Sequence, residues 1–371
     1  MNDRQPRRLG VAAALVDGAL LPGDVEITGG TVSAVGLPAA GRSRIAAPGL
    51  LDLQVNGFAE VDVMAADLDG IRRISAALTD HGVTAWLPTL ITAPAEHTRR
   101  ALGVLAEAMA EGTPGAQVLG VHLEGPYLSP QRLGTHPAEH RRDPDLDEVE
   151  AWRGLAPIAA VTLAPELPGA LELVEKLSAD GVLVSLGHSD ATNEQAHAGF
   201  DAGSRSATHL FNAMSPLRHR DPGLPGAALA RPDVTVQLIV DGHHLADDVV
   251  RLVWSAARGR VVLVTDATEA AAREEGEYEI AGVPVEVRAG AVRNATGVLA
   301  GSALTLDAAV RNAVALGLDL AEVLTAVTAT PARLIGRTDL GVLAPGSRAD
   351  LVVLEDDLTV AATYVGGEQV R

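Results

Sequence analysis

Eight short apolar runs, spaced along most of the chain, are the feature that most limits what it can fold into. They are Leu51–Val55, Thr84–Thr89, Val118–Glu124, Ala159–Ala164, Val182–His188, Ser206–His209, Val234–Asp241 and Val261–Asp266. Val, Ile, Leu and Ala fill them without strict alternation, the pattern of strands buried on both faces. Between them the spacing predicts helices over Leu68–His81, Pro94–Ala110, Gly169–Ala179, Asn193–Ala202 and Ala246–Ala257. Gly82 and Gly181 each follow one of these, where a left-handed residue ends a helix. Strand and helix in alternation predict the α/β class, with the eight strands closing into a (β/α)8 barrel of the TIM type. The alternative is a doubly wound open sheet. It calls for a Gly-rich nucleotide loop after an early strand, and none is present.

The two ends read differently. Val25–Ile27, Gly29–Gly30 and Thr31–Val35 form a hairpin pattern. Leu351–Leu354 and Ala361–Val365, followed by Gly366–Gly367, are also strand-like. Both termini are therefore expected to meet in one small β-sandwich domain, from residues 1–47 and 337–371, flanking a barrel over 48–336. Tyr278–Ala300 has the character of strands and turns, either an excursion from the barrel or part of a lid.

In a barrel of this kind the active site forms where the strands end. Five of the runs end in groups fit for metal or acid–base chemistry. Gln54 and Asn56 close the first, Glu124 the third, His188 the fifth, His209 the sixth and Asp266 the eighth. Polar groups at the ends of apolar strands are costly unless satisfied, so several on one rim indicate a site. Each also has an ordinary explanation. A lone buried His is most often a satisfied core residue, a strand-end Asp often caps the next helix, and Glu124 before Gly125–Pro126 suits a turn. Taken together, Glu124, His188 and His209 form a three-ligand set that leaves one position open for water, as in catalytic zinc sites. Zinc lowers the pKa of its water to about 7. Asp266, ionised if its pKa stays near ~3.9, is placed to take a proton and later return it.

Composition narrows the chemistry further. The 371 residues include no Cys, so a metal must be held by His, Asp or Glu. The 29 basic and 48 acidic residues give a net charge of −19, the wrong sign for a nucleic-acid partner. The same charge repels an anionic substrate at long range, so a phosphate site must be locally positive. Lys176 is the only lysine, and Arg supplies the remaining cations. No apolar run approaches the ~18 residues that span a bilayer. Arg7 and Arg8 precede a short apolar stretch that Asp17 ends, without a clear cleavage site, so the protein is read as cytoplasmic.

Several segments carry a resemblance. They are Pro48–Gly57, His122–Pro126, Gly134–His136, Gly187–Ser189, Thr208–Met214, Asp241–His244, Val264–Ala267 and Gly341–Val353. In this order and over nearly the whole chain they resemble the N-acetylglucosamine-6-phosphate deacetylase family of the amidohydrolase superfamily. The resemblance implies Glu124, His188 and His209 as metal ligands and Asp266 as the catalytic carboxylate. It implies His136, with Thr135 beside it, at the acetamido group, and Asn212 with the backbone of Ala213 at the sugar phosphate. Leu299, Ala300 and Gly301 match a segment lining the sugar pocket. Arg220 and His244 match a phosphate-binding pair that the family builds across a homodimer interface. Arg suits this because its fork of donors fits phosphate oxygens, although Arg220, beside Arg218 and His219, also reads as an ordinary surface charge.

Many amidohydrolases carry His-x-His where this chain has Gln54 and Asn56, neutral amides that bind zinc poorly, so one divalent ion is expected. Zn is the first choice, and Fe, Co and Mn suit the same ligands. Gln131-Arg132-Leu133 stands where the family often has a lysine, and Ala270–Glu275 departs from a Gly-containing loop. Both leave the sugar open. The expected reaction is deacetylation of N-acetylglucosamine 6-phosphate, with water activated on the metal and Asp266 as base, then acid. The alternatives are another N-acetylhexosamine phosphate, such as N-acetylgalactosamine 6-phosphate, a cyclic amide, and a barrel that has lost its metal.

Overall fold

The computed structural model describes residues 5–371, so positions 1–4 of the expected N-terminal unit lie outside the described residues. Its centre is a ring of eight parallel strands: β1 (Leu50–Val55), β2 (Val83–Ile91), β3 (Val121–Glu124), β4 (Ile158–Leu163), β5 (Leu183–Leu186), β6 (Ser206–Ala207), β7 (Thr235–Leu238) and β8 (Val261–Leu263). Each pairs in parallel with the next from β1 through β8. Between β8 and β1 the ring closes by a single bridge, Val55 to Ala267, supported by Asn56 N–H donating to the Ala267 carbonyl at 2.8 Å. Lower in the barrel, Thr265 Oγ1 donates to the buried carboxylate of Asp52 at 2.6 Å across the same seam.

All eight expected strands are present, with two differences. The run Val118–Glu124 is broken. Gln117–Val118 pairs with β2, and β3 begins only at Val121. Gly120 lies between them at φ 146, where a Cβ would stand 2.7 Å from the Ala159 Cβ, so the chain must kink there without a side chain. The other difference is that β5, β6 and β8 stop two or three residues before His188, His209 and Asp266. Those three residues take left-handed φ values of 47°, 29° and 51°. L-residues seldom adopt that conformation, and it ends a ladder.

Helices cover the outside: α1 (Leu68–Leu78), α2 (Ala95–Glu111), α3 (Leu146–Arg153), α4 (Ala170–Ala179), α5 (Asn193–Asp201), α6 (Gly223–Ala230), α7 (Asp247–Ala256) and α8 (Leu306–Ala315), then α9 (Leu320–Ala326) and α10 (Ala329–Leu334). The α1 helix begins where the Asp67 side chain accepts from Gly70 N–H, and it buries Ile71, Ile74 and Leu78. Each such side chain contributes about 1.5–3 kcal/mol. Its expected last turn, Thr79–His81, is a 3-10 turn ended by Gly82 at φ 78. Helices α3, α6, α8, α9 and α10 go beyond the five that periodicity predicts.

The termini meet as expected. Six strands form one sheet in the order Glu368–Gln369, Val360–Val365, Leu351–Leu354, Ile45–Pro48, Ala13–Val16, Ala19–Pro22. The hairpin of Asp24–Thr28 and Thr31–Leu37, with Arg7–Arg8, forms a second sheet. Val25, Ile27 and Val32 of one pack with Ala46, Leu351 and Val353 of the other in a core separate from the barrel's. The excursion after β8 is a three-stranded antiparallel sheet, Gly276–Ile280, Val283–Arg288 and Ala291–Asn294. No helix among the described residues is long and apolar enough to cross a membrane.

Candidate metal centre and active site

Glu124, His188 and His209 come from the ends of three different strands and converge on one point. Glu124 Oε1 lies 3.2 Å from His188 Nε2 and 3.0 Å from His209 Nε2, and the two nitrogens are 3.2 Å apart. Bonds of 2.0–2.1 Å from a tetrahedral ion set its ligands roughly 3.3 Å apart, so this spacing fits a divalent cation. All three residues are buried, and they are the one such cluster of potential ligands among the described residues. His188 Nδ1 donates to the Arg132 carbonyl at 2.8 Å, which leaves the Nε2 lone pair directed at the ligand point. His209 Nδ1, by contrast, is buried without a partner.

The electrostatics match that reading. Burial works to raise the Glu124 carboxyl, but hydrogen bonds from His188 and His209 overcome it and hold the group well below the usual range. Burial likewise opposes charge on His209, yet Glu124 raises its pKa. The cluster therefore favours a carboxylate sharing positive charge with imidazole, a role a cation fills more completely.

Asp266 stands beside this cluster. Its Oδ1 accepts from Gln54 Nε2 at 3.0 Å and from Asn56 Nδ2 at 2.7 Å, while Gln54 Nε2 also donates to Glu124 Oε1 at 3.0 Å. The amide pair thus spends its donors orienting two carboxylates. Asp266 does not keep an ordinary carboxylate pKa. Burial first, and then the charge of Glu124, push it up to about 7, and a neighbouring cation opposes that shift. Gly301, at φ 57, carries the chain so close that a Cβ would lie 2.7 Å from the Asp266 carbonyl oxygen.

His136 comes from the loop after β3 and lies edge-on to His188, ring centroids 4.5 Å apart. Thr92 N–H donates to its Nδ1 at 3.3 Å, and Thr92 Oγ1 is 2.9 Å from the same atom. Burial lowers its pKa to about 3, so the ring is neutral with its proton on Nε2, a donor for a carbonyl oxygen. His244 is held by Asp241, whose Oδ2 accepts from Nδ1 at 2.7 Å and whose Oδ1 accepts from the backbone N–H of residues 243 and 244. Only Nε2 of His244 is left for a ligand.

These groups share a cavity of about 560 Å³ with Thr135, Asn212, Ala213, Leu299 and Gly301. Ala300 is buried behind it, and its side chain is not part of the lining. Arg220 is elsewhere. It is exposed, with Nη1 2.8 Å from His219 Nε2, and does not line this cavity within one chain. His243 is exposed and lines a neighbouring open groove instead. The three-stranded excursion reaches the cavity through Ile280, Arg293 and Val298, which makes it a partial roof. Thr92 and Asp241 were not singled out by sequence reasoning. For Asp241 a signal existed, a carboxylate three residues before a histidine in a loop; for Thr92 there was none.

A parallel barrel with a triad able to hold a metal ion and a carboxylate on its C-terminal rim has the layout of a metal-dependent hydrolase. The chain belongs to the amidohydrolase family, whose model matches residues 45–370. It is 41% identical over 325 residues to N-acetylgalactosamine-6-phosphate deacetylase of Escherichia coli O157:H7, covering 86% of each chain. It is 37% identical to N-acetylglucosamine-6-phosphate deacetylase of Vibrio furnissii, covering 87% of this chain and 82% of that one. Among solved structures, the Mycobacterium smegmatis N-acetyl-D-glucosamine-6-phosphate deacetylase, a mutant in complex with N-acetyl-D-glucosamine-6-phosphate, superposes with a TM-score of 0.92 at 36% identity, covering 99% of both. The Thermotoga maritima N-acetylglucosamine-6-phosphate deacetylase gives 0.92 at 32% identity, covering 98% of this chain and 99% of that one.

Proposed function

We propose that this protein deacetylates N-acetylglucosamine 6-phosphate, releasing acetate and glucosamine 6-phosphate. The observation that carries the reading is the convergence of Glu124, His188 and His209 within 3.2 Å of one another, with Asp266 fixed beside them by the Gln54 and Asn56 amides. Glu124, His188 and His209 would hold a divalent cation, zinc by preference and Fe, Co or Mn by the same donor chemistry, which when bound would supply Lewis-acid polarisation of the acetamide and a more acidic water. Asp266 takes the water's proton through its free oxygen and hands it to the departing amine. His136, neutral and protonated at Nε2, donates to the carbonyl oxygen as negative charge develops there. Asn212 and the Ala213 backbone hold the sugar, with Thr135 and the Leu299–Gly301 segment beside it. His244 takes the phosphate from within the chain, and Arg220 completes the phosphate site from the second copy of a homodimer. Gln54 and Asn56 offer amides where a second ion would need imidazoles, so the reading is of a single metal. We take residues 1–47 and 337–371 as the halves of one small domain, 48–336 as the barrel, and the protein as cytoplasmic.

A second reading shares the chemistry and changes the sugar. The 41% identical relative is named as an N-acetylgalactosamine-6-phosphate deacetylase, which makes the C4 epimer the foremost competitor. Acetate release from N-acetylglucosamine and N-acetylgalactosamine, each with and without the 6-phosphate, decides between them. The expected result is a kcat/KM for N-acetylglucosamine 6-phosphate above the other three. A higher value for the galactosamine phosphate replaces the first reading with the second, and no release from any of them overturns both.

A further inference from the structure

We infer that the Arg132–Asp190 ion pair is a latch that couples the loop covering the substrate site to the metal ligand His188. The inference rests on reading Glu124, His188 and His209 as a metal site, and not on the identity of the sugar.

The loop after β3 carries Thr135 and His136 into the cavity. It is fixed at its start by Ser129 N–H donating to the His188 carbonyl at 2.9 Å, and at its end by the His136 contact with Thr92. Over the intervening span, residues 130–135, two contacts reach other parts of the chain among the described residues. One is His188 Nδ1 donating to the Arg132 carbonyl at 2.8 Å. The other is the Arg132 guanidinium, whose Nε and Nη2 meet Asp190 Oδ1 at 2.7 and 2.6 Å. Gly134 lies so near the ligand ring that a Cβ would stand 3.5 Å from His188 Cε1.

Asp190 is itself held from below. Its backbone N–H donates to Glu166 Oε1 at 2.7 Å, and Ser189 Oγ donates to Oε2 of the same carboxylate at 2.7 Å. Glu166, in the turn after β4, thus fixes the segment that follows His188, and Asp190 on that segment fixes Arg132.

The consequence follows from where the His188 proton sits. A histidine ligand needs a partner at its second nitrogen to present the right lone pair, and losing such partners commonly costs about 10–100-fold in metal affinity. Here the partner is a carbonyl on a loop, so loop position and ligand orientation are one variable. Coupling of this kind is reciprocal: a cation at Nε2 favours the docked loop, and an undocked loop loosens the cation. Arg132 acts through its backbone and Asp190 through Arg132, so both are positioning residues. The Arg132 and Asp190 side chains are 33% and 41% exposed, so salt weakens the pair.

Zinc affinity, read by competition with a chromophoric chelator, and hydrogen exchange of the 130–135 amides test this without substrate. In the parent protein, zinc should slow exchange in that span. Arg132→Ala and Asp190→Asn should each weaken zinc about two- to fivefold and reduce the slowing, and the double variant should be no weaker than either single one. The charge-reversed pair, Arg132→Asp with Asp190→Arg, should recover most of the affinity, which a merely local packing role would not allow. The metal-free unfolding temperature of all variants should match the parent. Zinc affinity and loop exchange unchanged in both single variants overturn the latch. A parent protein that takes up none of zinc, iron, cobalt or manganese overturns the metal reading itself.

Discussion

His188, His209 and Asp266 share a backbone conformation that few L-residues tolerate, and strain of that kind, about 1–3 kcal/mol each, persists where surrounding structure enforces it. The strain turns each side chain inward just past its strand. Asp266→Asn keeps an acceptor for the Gln54 and Asn56 amides but cannot take a proton. Turnover should fall by about 10²–10⁴, with zinc content and KM nearly unchanged; near-parental kcat in acetate release would remove Asp266 from the mechanism. Asp241→Asn tests the other end of the cavity. Asparagine cannot accept both from the backbone N–H groups of residues 243 and 244 and from His244 Nδ1, so the ring loses its fixed orientation and KM for the 6-phosphate should rise about tenfold, with kcat and the KM of the unphosphorylated sugar little altered. An equal rise for both sugars would mean that Asp241 only shapes its loop. The candidate ligands were legible because a polar group ending an apolar run is costly and conspicuous. Their partners were not, since a backbone carbonyl such as that of Arg132 leaves no mark in the sequence.

Strands and their gaps were legible for a similar reason: most of the runs are predominantly apolar and buried on both faces, as in β2, where every residue from Val83 to Ile91 is buried. Their ends were not, because the ladder stops where backbone φ changes sign and not where hydrophobicity does. Helix α6 escaped detection because Pro225 and Gly226 lie inside it, residues with poor helix propensity. Packing decides there instead, with Leu224, Ala227 and Ala228 fully buried. The apolar spacing of α8, Leu306, Ala309, Val310 and Ala313, did carry a readable signal. Gly120 is the position where element geometry meets the site, since it kinks the chain just before the strand that presents Glu124. Gly120→Ala places a Cβ 2.7 Å from that of Ala159 in a left-handed backbone. The cost should be about 1–3 kcal/mol in urea unfolding, accompanied by weaker zinc binding as β3 shifts. Parental stability would show that the kink is not needed.

For the whole molecule, closure of the barrel is the step that brings the first and last strands together, and with them Gln54, Asn56 and Asp266. One isolated bridge, the Asn56 and Gly57 N–H bonds to the Ala267 carbonyl and the Asp52–Thr265 contact make that seam, so a buried carboxylate stands where other strand pairs have a ladder. Burial is the main influence on Asp52 and raises its pKa to about 6, against the hydrogen bonds from Thr265 and Gln54 that pull it down. A raised folded-state value means that, between about pH 4 and 6, the native protein holds a proton that the unfolded chain has released. Stability then falls as pH rises through that window and is level above it, by something of the order of 3 kcal/mol. Asp52→Asn keeps the shape and removes the charge. Other carboxylates, including Asp62, also raised to about 6 by burial, titrate alike in parent and variant and cancel in the difference. The unfolding free energy of the variant minus that of the parent should climb from pH 4 to 6 and then stay constant. A difference independent of pH would mean that Asp52 titrates as it does in the unfolded chain, and that burial in the seam does not penalise its charge.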